Sequence, residues 1–356
     1  MKYLLIFTLL IVSPSGLLFA QNDRAAALIQ EGVELHDKRD YEGALKTYEE
    51  VLKIDKDNRD AIYEASVTCL SLKQYDKCVS YCDRLIGLKN NDAYAYLNKG
   101  TALDGMGKRD EAINIYKEGI KKQPGKYLLH YNLAITYLNA DDLDNAEKKS
   151  LDALNINPEH SSSNLILATI NRVKEQKTRA MLGYYYLLML EPRSSRAQVA
   201  LTQLVKLMNL GVQQESNKKI NISMSSDRDT ADVFYSTDLF CTLNAAVMFT
   251  EEYENKSDFE KFFSYTESVS KFLEETFEHK RVDDFYVKLY VTFLTELNKK
   301  KLMKTYCRVI SQTGITESAE WMKSNDKEIK RLNDWFDSYT SDNPNRKSKP
   351  IQFNSK

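Results

Sequence analysis

A repeat of 34 residues constrains the fold of this chain more than any other feature of its sequence. Five frames share one register and close near residue 194, and their first residues are Ala25, Arg59, Ala93, Tyr127 and Ser161. A fixed period of this length is typical of proteins that stack one small structural unit many times, because each unit buries its apolar face only against its neighbours. We therefore predict that the first half of the chain is an array of repeats.

Side-chain size also repeats, at three positions of the frame. The eighth residue is small in every frame: Gly32, Ser66, Gly100, Ala134 and Ala168. The twentieth residue is small as well: Ala44, Cys78, Ala112, Ala146 and Ala180. The twenty-fourth residue is a tyrosine in three frames: Tyr48, Tyr116 and Tyr184. Two antiparallel helices approach closely only where both carry small side chains, and a ring can fill the space behind that contact. Each frame is therefore predicted to form a helix hairpin.

Proline marks the end of the second helix in three frames. It stands at the thirty-second position as Pro124, Pro158 and Pro192. Proline cannot donate the hydrogen bond that a helix interior requires, and its ring clashes with the preceding turn. Taken in register, these positions resemble the tetratricopeptide repeat family from residue 25 to about residue 194, roughly half of the chain. The second frame departs from the family pattern, because Cys78, Cys82 and Asn90 stand at its signature places.

The resemblance implies an all-α fold: a right-handed α-solenoid of about five helix hairpins plus a capping helix, followed by a helical C-terminal domain. The solenoid would span residues 25–210, with the capping helix at 196–210, where an amphipathic pattern continues. The polar stretch 211–230 lacks a sustained period and is expected to be a linker. Residues 231–341 are expected to form the C-terminal domain, and residues 342–356 a flexible tail.

The C-terminal domain is predicted to contain helical stretches at residues 231–253, 258–279, 283–297, 301–313 and 316–339. In the second stretch, apolar residues recur at steps of three and four, as in an amphipathic helix. Two organisations stay open: further hairpins that extend the solenoid, or a separate helical bundle. Trp321 and Trp335 in the last stretch are interpreted as core residues.

The family resemblance further implies a concave groove, lined by the first helix of every frame, in which family members bind peptides or helices of other proteins. The second, fifth, ninth and twelfth residues of a frame should point into this groove. The expected partner contacts are mostly apolar or aromatic, with one acid and one base as polar selectors: Ile29, Val33, Tyr63, Val67, Tyr94, Leu97, Asp104, Tyr131, Ile135, Leu138 and Arg172. Two occupants stay open, a segment of another protein or the C-terminal half of this chain.

Some family members clamp the C-terminal carboxylate of a partner with Lys, Asn and Arg side chains on this face. Asn98 and Asn132 are present here, but Ile29, Tyr63 and Leu128 occupy the matching basic positions. A clamp of this kind is therefore not expected. His36 also faces the groove and is a candidate contact.

The N-terminal segment resembles a secretory signal peptide. Lys2 precedes an apolar stretch at residues 3–12, and a small residue, Ala20, follows after Pro14 and Gly16. We predict that residues 1–20 are a signal peptide cleaved after Ala20, with export to the periplasm or cell envelope; an uncleaved anchor is the alternative. The apolar run is shorter than a bilayer span, so no integral membrane segment is expected after cleavage.

Composition and motifs argue against several kinds of function. With 50 Lys and Arg against 51 Asp and Glu, the chain lacks the basic excess that a nucleic-acid-binding protein uses to neutralise phosphates. The four histidines form no HExxH pair, and neither a GxSxG elbow nor a glycine-rich phosphate-binding loop occurs. We expect no enzymatic activity, no metal and no cofactor.

The five cysteines matter because an exported protein meets an oxidising compartment. Cys78 and Cys82 are one helical turn apart, and Cys69 lies on the facing helix of the same repeat. We interpret the three as buried free thiols, since they stand where the family buries small or apolar groups. The alternatives are a disulfide from Cys69 to Cys78 or Cys82, and a cysteine-only metal site, for which a fourth ligand is missing.

The sequence thus predicts a non-enzymatic scaffold or adaptor of the cell envelope that holds a peptide or an amphipathic helix of a partner protein in the groove. Two other classes stay open. One is a structural assembly subunit of an envelope secretion or motility machine, which self-association with an empty groove would indicate. The other is an envelope enzyme with its site in the C-terminal half, which a cofactor or metal retained on purification would indicate.

Overall fold

The structure is a computed structural model that describes residues 14–88, 92–216, 219–223, 229–280 and 282–341. Residues 1–13 of the predicted signal peptide and the predicted tail at 342–356 lie outside the described residues. The first helix, α1, runs over Pro14–Asp37 and contains the predicted cleavage point after Ala20. Within the described part of the chain, no helix combines the length and the apolar character needed to cross a membrane.

Each predicted frame forms two helices, and the helix starts keep the period of the sequence. The second helices begin at the seventeenth residue of their frames: α2 (Tyr41–Ile54), α4 (Tyr75–Gly87), α6 (Arg109–Lys122), α8 (Leu143–Ile156) and α10 (Lys177–Leu190). From the second frame on, the first helices begin at the first residue of the frame: α3 (Arg59–Ser71), α5 (Ala93–Gly105), α7 (Tyr127–Asn139) and α9 (Ser161–Val173). The next helix, α11 (Ser195–Met208), begins one period later, at the predicted capping position. The predicted helix hairpins are confirmed.

The small and aromatic positions of a frame meet in the core of its hairpin. A Cβ added to Gly32 would collide with Cε1 of Tyr48, and one added to Gly100 would lie 2.5 Å from Cε1 of Tyr116. Both rings are buried, with 0% and 2% of their surface exposed. The rings therefore fill the space that a glycine leaves open, as the size pattern predicted.

The turn between the two helices of a frame needs a left-handed residue at the fifteenth position. In the third frame this residue is Gly107, with a φ of 77°. The other frames place a side chain there, also at positive φ: Arg39, Lys73, Asp141 and Glu175. A Cβ in this region costs about 1–2 kcal/mol, which glycine avoids. Packing of the two helices must therefore offset this cost in the frames without glycine. This position was not predicted from the sequence, because glycine marks it in a single frame.

The chain divides into two compact units, Met1–Thr136 and Tyr137–Lys356. In the first unit, the helices from α1 to α6 pack in chain order, each against the next. The second unit contains α8 to α11 and every element that follows. The predicted linker at residues 211–230 lies within the second unit. In this unit the last repeat and the C-terminal helices share one hydrophobic core.

A β-hairpin lies within the predicted linker. Its strands, β1 (Val212–Ser216) and β2 (Lys219–Ile222), pair antiparallel, with Val212 opposite Ile222. Ile220 and Ile222 alternate with polar residues, which is the period of a strand. The alternation is too short to indicate a strand within a polar stretch. Strands were therefore not predicted in this segment.

The C-terminal helices are divided differently from the predicted stretches. They are α12 (Tyr235–Val247), α13 (Glu251–Glu254), α14 (Asp258–Phe277), α15 (Thr292–Lys299), α16 (Met303–Ser311), α17 (Thr316–Trp321) and α18 (Asp326–Ser341). A π-helical turn, Val287–Val291, leads directly into α15. The stretches predicted at 231–253 and at 316–339 each form two helices, α12 with α13 and α17 with α18.

Helix α10 forms the centre of the second unit. Every residue of α10 except Arg179 is buried, and α9, α11, α12 and α16 all contact it. Residues 181–190 are apolar or aromatic on all sides of the helix, apart from Gly183, and such helices are normally enclosed by other elements. Trp321 and Trp335 pack against the same core as half-buried side chains. The C-terminal helices thus complete the core of the last repeat.

Candidate functional site

The candidate site of the first unit is the face formed by the first helices of its frames. Helix α1 contacts α3, and α3 contacts α5, so these helices lie side by side. The expected partner contacts in this unit are all partly exposed: Ile29, Val33, Tyr63, Val67, Tyr94, Leu97, Asp104, Tyr131 and Ile135. Tyr94 is the most open of them, with 39% of its surface exposed. We refer to this surface as the inner face.

Hydrogen bonds between neighbouring helices hold the inner face at a fixed spacing. Nδ2 of Asn98 on α5 donates to Oγ of Ser66 on α3, at 3.0 Å. One frame later, Nδ2 of Asn132 on α7 donates to Oγ1 of Thr101 on α5, at 3.2 Å. The two asparagines occupy the same frame position, and their acceptors are the eighth and the ninth residue of the preceding frame. Both asparagines therefore join neighbouring helices of the array and form no carboxylate clamp with basic residues.

Aromatic side chains from two frames meet on the inner face. The ring centroids of Tyr63 and Tyr94 are 6.0 Å apart, in an edge-to-face arrangement with an interplanar angle of 65°. Nζ of Lys126 lies 5.1 Å from the centroid of the Tyr94 ring, a cation–π contact. The fold therefore brings together two of the expected contact residues from separate helices. Tyrosines held in this way lose little conformational freedom when they bind a partner.

Burial and a neighbouring acid affect the ionisation of Tyr63. Burial, followed by the charge of Glu64, raises the pKa of Tyr63. Burial also raises the pKa of Glu64, against a lowering contribution from His36. At neutral pH Tyr63 is therefore an uncharged hydroxyl that can both donate and accept a hydrogen bond. Farther along α5, Oδ1 of Asp104 lies 4.0 Å from Nε of Arg109, which makes Asp104 a partly neutralised acid at the inner face.

Two expected contacts, Leu138 and Arg172, belong to the second unit. Leu138 is half-buried near the end of α7, and Arg172 is exposed near the end of α9. Arg172 lines a cleft of about 570 Å³ together with residues of α11 and of the segment that follows α11. The expected contacts of the first unit thus lie on the inner face, whereas Arg172 lies in the lining of a cleft of the second unit.

Hydrogen bonds within the second unit show which repeat helices the C-terminal half contacts, and so test whether it fills the groove. The hydroxyl of Tyr286 donates to Oε1 of Glu147 on α8 at 2.8 Å and accepts from Nδ2 of Asn171 on α9 at 2.9 Å. The hydroxyl of Tyr290 donates to Oδ1 of Asn164 on α9 at 2.7 Å. Together with the burial of α10, these bonds place the C-terminal helices against α8, α9 and α10. Arg172, the twelfth residue of α9, is expected to point into the groove, and it is exposed.

The histidines near the groove have local contacts. The ring of His36 lies 4.9 Å from that of Tyr41, and its Nε2 lies 3.5 Å from Oγ of Ser71. Nε2 of His130 lies 3.2 Å from the carbonyl oxygen of Pro124, in the turn that precedes α7. These contacts orient both rings within the array, and His36 remains half-buried at the inner face.

All five cysteines are buried free thiols. Sγ of Cys78 lies 3.9 Å from Sγ of Cys82 and 3.7 Å from the carbonyl oxygen of Asn98. Burial raises the pKa of Cys69 to about 11 and that of Cys241 to about 11. Thiols with such pKa values stay protonated at neutral pH and are weak nucleophiles and weak metal ligands.

The side chains of the inner face are of kinds that can bind a polypeptide. Rings, branched apolar groups and neutral hydroxyls can cover apolar surface of a polypeptide and satisfy its backbone. Across the described ranges, no group of three or more His, Cys, Asp and Glu side chains is placed to hold a metal ion.

Comparisons with known proteins bear on the repeat assignment. Two family models described as tetratricopeptide repeat match residues 35–98 and 97–162, a segment that runs from the end of α1 into α9. A TPR repeat-containing protein of Methanocaldococcus jannaschii is 31% identical over 116 residues, which are 33% of this chain. The chain matches 20% of the length of that relative.

Two solved structures show partial similarity to this chain. A thermophilic TPR protein of Thermus thermophilus is similar at 19% identity with a TM-score of 0.44, over 52% of this chain and 100% of that chain. Pseudomonas aeruginosa PilF is similar at 15% identity with a TM-score of 0.47, over 78% of this chain and 99% of that chain.

Proposed function

Because this chain is a tetratricopeptide repeat protein, we propose that it is a non-enzymatic scaffold whose inner face binds a peptide or an amphipathic helix of another protein. The observation that carries the proposal is the contact between Tyr63 and Tyr94, whose rings are 6.0 Å apart on a face where Tyr94 is 39% exposed. Partly exposed tyrosines on a rigid surface are among the side chains that most often dominate the binding energy of an interface.

The apolar neighbours of the tyrosines support the same proposal. Val67, Leu97 and Ile135 are half-buried on the inner face and would lose their remaining exposure under a bound segment. Complete burial of a side chain of this kind contributes about 1.5–3 kcal/mol, of which half-buried residues have part left to gain. The bonds from Asn98 and Asn132 hold the helices in place before binding, which lowers the ordering cost of association.

We further propose that the protein acts in the cell envelope after export. The support is the basic and apolar N-terminal sequence, with Lys2 before the apolar run at residues 3–12 and Ala20 as the residue before cleavage. N-terminal sequencing of the protein purified from its native cells is expected to begin at Gln21. A first residue within 1–20 would contradict cleavage at this point.

Site-specific photocrosslinking tests the proposed binding surface. A photoreactive phenylalanine analogue replaces Tyr94 on the inner face, and in a matched control it replaces Asn114, which is exposed on α6. We expect a discrete crosslinked protein from position 94 in intact cells and none from position 114. Addition of Tyr131→Glu to the first variant should abolish the crosslink, because a charge would then stand within the apolar surface.

Two further variants control for a general loss of folding caused by an added charge. Ser80→Glu and Asn114→Glu add the same charge to exposed positions of the second helices, and neither should reduce the crosslink from position 94. Equal crosslinking from positions 94 and 114, or a crosslink that survives Tyr131→Glu, would contradict binding at the inner face. A crosslink from position 94 to a second copy of this chain alone would favour an assembly subunit instead.

A further inference from the structure

A cleft of about 570 Å³ in the second unit carries an excess of positive charge. Among the described residues that line it, three are cationic, Arg172, Lys177 and Lys206, one is acidic, Glu175, and the others are neutral. The chain as a whole has a net charge of −1, so this excess is local. A concave surface of one sign concentrates ions of the opposite sign.

The repeat itself places two of these cations together. Arg172 is the twelfth residue of α9, and Lys206 is the twelfth residue of α11, because α11 begins one period after α9. The two helices lie side by side in register, since Nη1 of Arg196 at the second position of α11 donates to Oγ of Ser162 at the second position of α9, at 2.9 Å. The twelfth residue is one of the positions expected to face a partner, and both side chains are exposed.

Neither Arg172 nor Lys206 has an ion pair among the residues that the structure describes, while other cations of the unit are neutralised. Nζ of Lys174 lies 2.7 Å from carboxylate oxygens of both Asp144 and Glu147. Nη2 of Arg196, on the same helix as Lys206, lies 2.5 Å from Oε2 of Glu191. The acids that the structure describes in this unit thus leave Arg172 and Lys206 available to an external anion.

Lys177 adds a fixed charge to the wall of the cleft. Only 1% of its surface is exposed, and its Nζ donates to the carbonyl oxygen of Leu210 at 3.1 Å and to Oγ1 of Thr242 at 3.3 Å. Carbonyl groups at the C-terminal end of a helix lack donors within the helix and carry partial negative charge, so they readily accept hydrogen bonds from an ammonium group. The bonds hold Lys177 in position behind the two exposed cations.

We infer that this cleft binds side-chain carboxylates of an acidic polypeptide segment, a stretch rich in Asp and Glu, through Arg172 and Lys206. A guanidinium group can bind a carboxylate with two parallel N–H donors, and a lysine beside it can bind a neighbouring carboxylate. That the ligand is a polypeptide rests on the proposed function, whereas the charge of the site does not. Because both cations are exposed, the binding weakens as the salt concentration rises.

A defined acidic peptide tests the site with the purified full chain. The probe is a fluorescent hexaglutamate with blocked ends, so that side-chain carboxylates are its only acidic groups apart from the dye, and the dye-labelled hexaglutamine is the neutral comparison. Fluorescence anisotropy at low salt is expected to show saturable binding of hexaglutamate alone. The double variant Arg172→Ala/Lys206→Ala should weaken it by about tenfold or more. The matched variant Lys148→Ala/Lys304→Ala removes two exposed lysines outside the cleft and should change the affinity by less than about twofold.

Three results would overturn the inference: no saturable binding of hexaglutamate, equal weakening in the two double variants, or displacement of the peptide by inorganic phosphate at the same concentration of charge. The last result would assign the cleft to a small anion. No cellular partner is present in this assay. The acidic site can therefore fail while the crosslink from Tyr94 succeeds, or succeed while that crosslink fails.

Discussion

The hydroxyl of Tyr116 lies 3.1 Å from Oγ1 of Thr101, whereas the hydroxyl of Tyr48, at the same frame position, is buried without a hydrogen-bond partner among the described residues. Both rings pack on a glycine at the eighth position of their frames. The difference lies in the ninth residue, which is Thr101 in the third frame and Val33 in the first. Valine has no polar atom to offer, so the core of the first frame contains an unsatisfied hydroxyl.

Removal of the two hydroxyls is therefore expected to have different consequences. Tyr116→Phe loses a hydrogen bond and should lower the free energy of unfolding by about 1 kcal/mol. Tyr48→Phe removes a buried hydroxyl that lacks a partner and should leave the free energy of unfolding unchanged or raise it. Urea denaturation followed by circular dichroism measures both. Equal losses in the two variants would contradict the assignment of the Tyr116 bond.

The glycine beneath Tyr116 gives a second prediction. Alanine in place of glycine normally stabilises a helix by up to about 1 kcal/mol. At Gly100 the added Cβ would lie 2.5 Å from the ring of Tyr116, so Gly100→Ala should destabilise the chain by about 1–3 kcal/mol. At Gly87, the last residue of α4, an added Cβ would have no atom within 4 Å among the described residues beyond its chain neighbours and its own helix backbone. Gly87→Ala should accordingly be neutral or stabilising, and thermal unfolding compares the two. A gain of stability in Gly100→Ala would show that the ring can move aside.

The contact between a glycine and a tyrosine also explains why the repeats were predictable. It joins two positions of one frame, and it recurs with the period of the sequence, so the residue types reveal it without knowledge of the fold. The same local rule places the starts of α3, α5, α7 and α9 at the first residues of their frames. The expected groove contacts followed from the same register, and those of the first unit lie partly exposed on the inner face.

Features that depend on distant residues could not be predicted in this way. The hydroxyl of Tyr306 donates to the carbonyl oxygen of Tyr185, at 2.8 Å and 121 positions apart. Contacts of this kind enclose α10 and join the last repeat and the C-terminal helices in one hydrophobic core. A signal was available, since residues 181–190 are apolar or aromatic on nearly all sides of the helix. The bond from Asn98 to Ser66 had a weaker signal, because asparagine recurs at the sixth frame position but its acceptor is an eighth residue here and a ninth residue for Asn132.

A buried hydrogen bond in the second unit gives a third prediction. The hydroxyl of Tyr290 donates to Oδ1 of Asn164 at 2.7 Å, and both residues are fully buried. Tyr290→Phe leaves that amide oxygen without this donor and should lower the free energy of unfolding by about 1–3 kcal/mol. A double-mutant cycle with Asn164→Leu should give a coupling energy of about 1 kcal/mol. Additive effects of the two substitutions would show that the bond contributes nothing to stability.

The pH dependence of stability reflects His160, which precedes α9. Burial, followed by the charge of Arg196, lowers the pKa of His160 from 6.5 to about 4. Between these pH values the unfolded chain binds the proton and the folded chain does not. The contribution of His160 to stability is therefore full above about pH 6.5 and is lost as the pH falls toward 4. His160→Gln, which can still reach Oγ of Ser163, 2.8 Å from Nδ1 of His160, should flatten the measured loss of stability across this range. An unchanged pH profile in the variant would assign the loss to other groups.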